Sequence, residues 1–213
     1  PVVVDIRDLW PLAIIELFPK LLQPFARLML RSMERDLRQS CKKAQALTGM
    51  TMEFVEWGLQ KAGREKTGDD RSFRLSYPEA LLAEDAGMDA VPNVEPGDLE
   101  ECFVVTFIGT LGASVEFQPV IDAAKRLIEK APDVLIIVVG EGPHYEKYRR
   151  SAVALPNLRW TGRVGRNAIP PVLKAARAGI VPYRSTYNLQ LGIPNKVGEY
   201  LAAGLPLLSG LTG

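Results

Sequence analysis

"FVVTFIGTLGASVEFQPVIDAAKRLIEKAPDVLIIVVGEG" (residues 103–142) holds the pattern that decides the fold. An apolar run at 103–108 ends in Gly109, a helical stretch covers 117–131, and a second apolar run at 134–139 ends in Gly140. Unbroken β-branched runs suit strands buried on both faces, and two parallel strands need a helix between them to return the chain. The rhythm continues toward the C-terminus. "PHYEKYRRSAVA" (143–154) reads as a helix, "NLRWTG" (157–162) precedes "NAIPPVLKAA", and "GIVPY" (179–183) precedes a short helix inside "GIPNKVGEYLAAGLP" (192–206). "PLLSG" closes the run. Strands alternating with helices at this spacing predict a parallel sheet covered by helices on both sides.

Toward the N-terminus the same grammar is less complete. "VVVDI" (2–6) predicts a buried strand. A helix is expected from about Pro24 to Cys41, with Phe25, Leu28, Met29, Met33 and Leu37 as its apolar stripe and Arg27, Arg31, Arg35, Arg38 and Lys42 opposite. "AQALT" (44–48) reads as a strand, "MEFVEWGLQKAG" as a helix closed by Gly63, and "FRLSYP" (73–78) as a strand end. Residues 64–72 form a charged loop in which Asp69 and Asp70 are expected to be solvated. Residues 83–100 are acidic, rich in Pro and Gly and without period, as a linker would be. The expected domains are 1–82, then the linker 83–100, then 101–213.

Composition sets bounds on function. The 213 residues are 47% apolar and 24% charged with a net charge of +1, which argues against a nucleic-acid coat. Cys41 and Cys102 stand in no metal or redox spacing and read as reduced thiols. No apolar run is long enough to cross a bilayer. The chain opens directly in a strand and stops after one, so it reads as a piece of a longer protein.

Ligands of open parallel sheets bind beyond the carboxyl ends of the strands, near helix N-termini. Three stretches have suitable composition. "GTLGAS" (109–114) offers Gly109 and Gly112 for close backbone approach and the Thr110 and Ser114 hydroxyls; it also reads as an ordinary strand-to-helix turn. "GEGP" (140–143) is half of a dinucleotide fingerprint and lacks its third glycine. In "GIPNK" (192–196), helix-end amides, Asn195 and the Lys196 ammonium suit a pyrophosphate, and Glu199 suits ribose hydroxyls. Ile193, Val197 and Leu201 are expected to pack. The alternative for Lys196 and Glu199 is a surface ion pair worth roughly 0.2–0.5 kcal/mol.

"DIRDLWP" (5–11), "FIGTLG" (107–112), "VVGEGP" (138–143), "LPNLRWTGRV" (155–164), "AGIVPY" (178–183) and "IPNKVGEYLAAGLP" (193–206) occur in an order that resembles glycosyltransferase family 4. Bacterial members that build surface polysaccharides are the most similar. The resemblance implies an α/β fold of GT-B type: two Rossmann-like parallel-sheet domains, here with the first incomplete and the second lacking its C-terminal end. Residues 1–82 would be the C-terminal part of the acceptor-side domain, and 101–213 the nucleotide-sugar-binding domain. It implies that Glu199 holds the donor ribose, that Gly162, Arg163 and Val164 line the base, and that Gly109, Thr110 and Gly112 face phosphates and sugar. Two positions depart from the pattern. Leu191 stands where many members carry a sugar-contacting glutamate, and "GTLGASVEF" lacks the cations common in that loop, so Lys196 is expected to supply the charge.

The expected reaction is a retaining transfer from a nucleotide-sugar donor to a glycan or lipid-linked acceptor in cell-surface polysaccharide synthesis. No Asp-x-Asp pair is present, so no metal and no other cofactor is expected. His144, the sole histidine, reads as a surface residue near a helix end. Asp8 is a candidate to orient an acceptor hydroxyl, with Arg7 beside it; the alternatives are a helix cap or a buried Asp8–Arg7 pair. The basic helix 24–43 would favour peripheral contact with anionic lipid on the cytoplasmic face of a membrane, or simply present a solvated basic face. Other readings are a nucleotide-sugar epimerase of the same fold or a binding module without turnover. A dehydrogenase is disfavoured for want of a glycine fingerprint, and no nucleic-acid partner is expected.

Overall fold

The computed structural model describes residues 1–77 and 89–211. Residues 78–82 of the first expected domain and 83–88 of the expected linker lie outside the described residues. Along the chain run β1 (Val3–Ile6), α1 (Leu12–Ile15), α2 (Gln23–Met29), α3 (Arg31–Lys43), β2 (Ala46–Gly49), α4 (Met52–Ala62) and β3 (Arg71–Ser72). Next come α5 (Pro96–Glu100), β4 (Phe103–Ile108), α6 (Gln118–Lys130), β5 (Val134–Val139), α7 (Tyr145–Ser151) and β6 (Leu158–Gly162). The last are α8 (Ile169–Ala175), β7 (Ala176–Val181), α9 (Tyr187–Leu191), α10 (Asn195–Ala202) and β8 (Leu207–Ser209). Residues 1–76 with 185–194 form one compact unit, and 77–184 with 195–211 a second.

In the first unit β1, β2 and β3 pair in that order, all parallel. Helix α4 covers them, capped at its start by Thr51 Oγ1, which accepts from Phe54 N–H, and stopped by Gly63 at φ +66°. It buries Val55 and Leu59 with Leu47 and Cys41, and Phe54 and Trp57 with Ile6 and Leu9. The single helix expected over 24–41 is instead two, broken at Leu30 (ψ 14°). Its stripe is also divided: Leu37 packs on the core, while Phe25 is 63% exposed and Leu28 and Met29 are similarly bare. Periodicity identifies an apolar face and says nothing of what covers it.

The charged loop also differs from expectation. Asp70 is 1% exposed, not solvated. Its carboxylate accepts two bonds from the Arg64 guanidinium at 2.7 Å, and further bonds from Leu47 N–H, Thr67 N–H and Thr67 Oγ1. It ties the loop to the start of β2.

In the second unit the order is β6-β5-β4-β7-β8, all parallel. The chain starts in the middle, builds outward to β6, then crosses back to β7, so the direction reverses between β4 and β7. Alternate residues of β4 point to opposite cores: Val105 and Phe107 meet Phe117, Ile121 and Trp160, whereas Val104 and Ile108 meet Val172, Leu173 and Tyr200. Residues 89–100 take part in this packing. Val91 is buried there, Asn93 Nδ2 donates to Trp160 O, and Asp98 of α5 accepts both arms of Arg159.

Candidate functional site

The carboxyl ends of β4 and β7, where the strand order reverses, are where such a sheet leaves a crevice. Three segments of the second unit meet there. Gly109 and Thr110 leave β4, Tyr183 follows β7, and Lys196 is the second residue of α10. Lys196 is only 6% exposed. Its Nζ donates to Tyr183 Oη at 2.9 Å and lies 4.4 Å from the Tyr183 ring centre and 4.5 Å from that of Phe107. Gly109, at φ +145°, leaves room for it, since a Cβ there would approach Nζ to 3.0 Å.

Tyr200 fixes that placement. Its Oη accepts from Ile108 N–H at 2.8 Å and donates to Thr106 O, and its ring lies over Gly179, where any Cβ would overlap it. The packing face of α10 therefore runs through Lys196 and Tyr200, one turn apart. Leu201, expected to pack, is 60% exposed. A tyrosine whose hydroxyl satisfies strand backbone outcompetes leucine for the position over a glycine.

The electrostatics follow from burial. Desolvation lowers the Lys196 pKa to about 8, with Glu199 opposing it. Burial raises the Glu199 carboxyl above its usual range, with Lys196 opposing. Among the described ion pairs none joins the two, so the surface-pair alternative does not describe this lysine. Tyr77 packs against Gly198, and burial with the Glu199 charge raises its pKa while Arg166 opposes. Glu199, Tyr77 and Arg166 thus share one neighbourhood.

The glycines of "GEGP" serve the neighbouring loop. Leu111 N–H donates to Glu141 O, and Leu111 O accepts from His144 N–H. A Cβ on Gly140 would strike Gly109 O, and one on Gly142 would come within 2.7 Å of Leu111 O. Gly162, at φ +70°, accepts through its carbonyl from Gly140 N–H at 2.8 Å. The loops after β4, β5 and β6 are thereby joined side by side. Thr110, Arg163 and Asn195 are exposed on them and on α10, Gly112 is half-buried, and Val164 packs against the core.

Arg7 and Asp8 belong to the first unit and are both exposed. Arg7 pairs with Asp5 at 2.7 Å rather than with Asp8. Asp8 accepts from Asn188 Nδ2 at 3.1 Å, and Asn188 Oδ1 accepts from Leu9 N–H at 2.8 Å. The Glu16 carboxylate accepts from the amides of Tyr187 and Asn188, and Leu191 O accepts from Thr51 Oγ1. Sequence reasoning missed Phe107, Tyr183 and Tyr77 around Lys196 and Glu199, and Glu16 and Asn188 around Asp8. The available sign was that Phe107, two residues before Gly109, and Tyr183, at the end of "GIVPY", both stand at carboxyl ends of strand-like runs. Among the described residues no three His, Cys, Asp or Glu side chains gather as a metal site.

Residues 102–213, over half the chain, match the family model for glycosyl transferases group 1. The chain belongs to that family. TuaH of Bacillus subtilis (strain 168), which bears the name of a teichuronic acid biosynthesis glycosyltransferase, is 28% identical over 208 residues, 97% of this chain and 49% of that protein. The crystal structure of Anabaena HepE with UDP and glucose matches 98% of this chain and 52% of its own, at 15% identity and a TM-score of 0.61. WaaG, a glycosyltransferase of lipopolysaccharide biosynthesis, matches 76% of this chain and 43% of its own, at 18% identity and a TM-score of 0.52. The chain thus spans about half the length of these relatives, and the fold it shares with them is the GT-B type.

Proposed function

We propose that the chain belongs to a retaining, metal-independent glycosyltransferase that uses a nucleotide-sugar donor in cell-surface polysaccharide synthesis. The observation that carries the reading is the Lys196 ammonium, buried against two aromatic rings at the end of β4 with no carboxylate among the described residues in ion-pair contact. A donor pyrophosphate supplies the missing counter-charge, and the N-terminal end of α10 adds its dipole. Glu199, one turn on, accepts from the ribose hydroxyls, and Gly162–Val164 border the base. Thr110 and the backbone at Gly109–Gly112 face phosphate and sugar.

In the transfer, the bond from the anomeric carbon to the diphosphate breaks and a bond to the acceptor oxygen forms on the same face. The acceptor proton passes to the departing phosphate oxygen, so a strong protein base is unnecessary. Asp8, held by Asn188, orients the acceptor hydroxyl, with Arg7 beside it. The acceptor is a glycan or a lipid-linked glycan. Phe25, Leu28 and Met29, bare beside Arg27 and Arg31, support peripheral contact with an anionic membrane at its cytoplasmic face. No described helix is long and apolar enough to cross one.

The test is product analysis. Incubated in excess EDTA with a glycan acceptor and UDP-, GDP- or ADP-glucose, the chain should release the diphosphate from one of the three and join the sugar to the acceptor with unchanged anomeric configuration, read by proton NMR. An inverted product, or turnover abolished by EDTA and restored by Mg²⁺, would overturn the mechanism.

A further inference from the structure

The first unit contains a second charged site that the donor reading does not use. Residues of helices α1, α2, α3 and α4 line a half-open pocket of ≈ 360 Å³. Its lining is partly apolar, from Pro11, Leu12, Ile15 and Leu30, and partly charged, from Arg27, Arg38, Lys61 and Glu34. Glu34 accepts from Lys61 Nζ at 2.8 Å and from Arg38 Nε at 3.0 Å, one turn along α3. Burial pulls the Glu34 pKa up, but the two cations more than reverse this, so the group is ionised at neutral pH. Two cations therefore share one carboxylate, and the third, Arg27, takes no part in the described ion pairs. The volume is that of a small-molecule site.

An excess of two positive charges in a pocket also lined by apolar side chains suits an anion of about two charges joined to an apolar body. A phosphate monoester carries roughly −1.5 to −2 near neutral pH, and arginine guanidinium groups bind it through paired hydrogen bonds. We propose that this cavity binds a phosphate monoester carried on an apolar chain, the phosphate meeting Arg27, Arg38 and Lys61 and the chain lying along Leu12, Ile15 and Leu30. The site goes beyond the donor reading and stands or falls without it.

Lys61 Nζ lies 5.0 Å from the Trp57 ring, so indole fluorescence should report occupancy. The chain would be titrated with monomeric octyl phosphate, inorganic phosphate and neutral octyl glucoside. Octyl phosphate should saturate the signal, inorganic phosphate should bind at least about tenfold more weakly, and octyl glucoside should give no saturable change. Arg27→Gln should weaken octyl phosphate about tenfold, the loss of one charge-assisted contact. Arg27 is exposed, so this variant should fold, as circular dichroism would verify. Glu199→Ala should leave octyl phosphate affinity unchanged, separating this site from the donor site. Equal affinity for octyl phosphate and inorganic phosphate would overturn the apolar part of the proposal. An unaltered Arg27→Gln, or binding only to anionic vesicles and not to monomeric octyl phosphate, would overturn the site itself.

Discussion

Replacing Lys196 by methionine should stabilise the ligand-free protein by about 1–2 kcal/mol while weakening its affinity for nucleoside diphosphates. The gain comes from desolvation. A pKa lowered from 10.5 to about 8 corresponds to roughly 3 kcal/mol of native-state penalty on the charged form. The ring faces of Phe107 and Tyr183 return part of this, about 0.5–2 kcal/mol. Methionine keeps the length and apolar stem of the side chain without the charge. The pH dependence fixes the sign. Below pH 8 the lysine is protonated in both folded and unfolded chains, and the penalty is fully present. Between about 8 and 10.5 the unfolded chain holds more protons than the folded one, so stability rises with pH across that window. The Met variant should lack this rise. Denaturant titrations at pH 7.5 and pH 10 measure both, and a variant less stable than the parent at pH 7.5 would contradict the account.

The second large effect is expected at Asp70. Asp70→Ala should destabilise the first unit by about 3–5 kcal/mol, because it leaves the Arg64 guanidinium without its counter-ion. The amides of Leu47 and Thr67 also lose their acceptor. The Arg64 bonds, against the opposing effect of burial, hold the Asp70 carboxyl well below the usual range for an aspartate. Its stabilising contribution is therefore complete above the unfolded value near 4 and is lost progressively as pH falls from there toward the much lower folded value. The unfolding midpoint in urea, measured at pH 7 and pH 3, should separate parent from variant at the first pH and bring them closer at the second. A difference under about 1 kcal/mol at pH 7, the range of ordinary surface ion pairs, would reject the buried-cluster account.

These two residues also show what the sequence could and could not reveal. The strands of the second unit were legible because runs such as 103–108 and 134–139 admit few other readings. The pairing of β4 with β7 was not, since strand order depends on which helix faces pack. Lys196 and Glu199 were legible as a pair from "GIPNK" and the spacing of three. The burial of Lys196 was not, because its partners come from elsewhere: Phe107 from β4, Tyr183 after β7, Gly109 between them. Local pattern favoured Leu201 as the packing residue, and only the glycine at 179 makes room for Tyr200 instead. Asp69-Asp70 in a polar loop looks solvated until Arg64, six residues earlier, folds back on it. The apolar stripe expected from Phe25 to Leu37 is divided by the break at Leu30, and of its residues Leu37 packs on a described core.

The most direct test of the donor site is calorimetric titration of UDP, GDP and ADP into the chain and into Glu199→Ala and Lys196→Ala. One nucleotide should bind, and each substitution should weaken it by about 1.5–3 kcal/mol, the value of a charge-assisted hydrogen bond. If a folded chain binds none of the three, or binds one equally well without Lys196 and Glu199, the switch point between β4 and β7 is not the donor site.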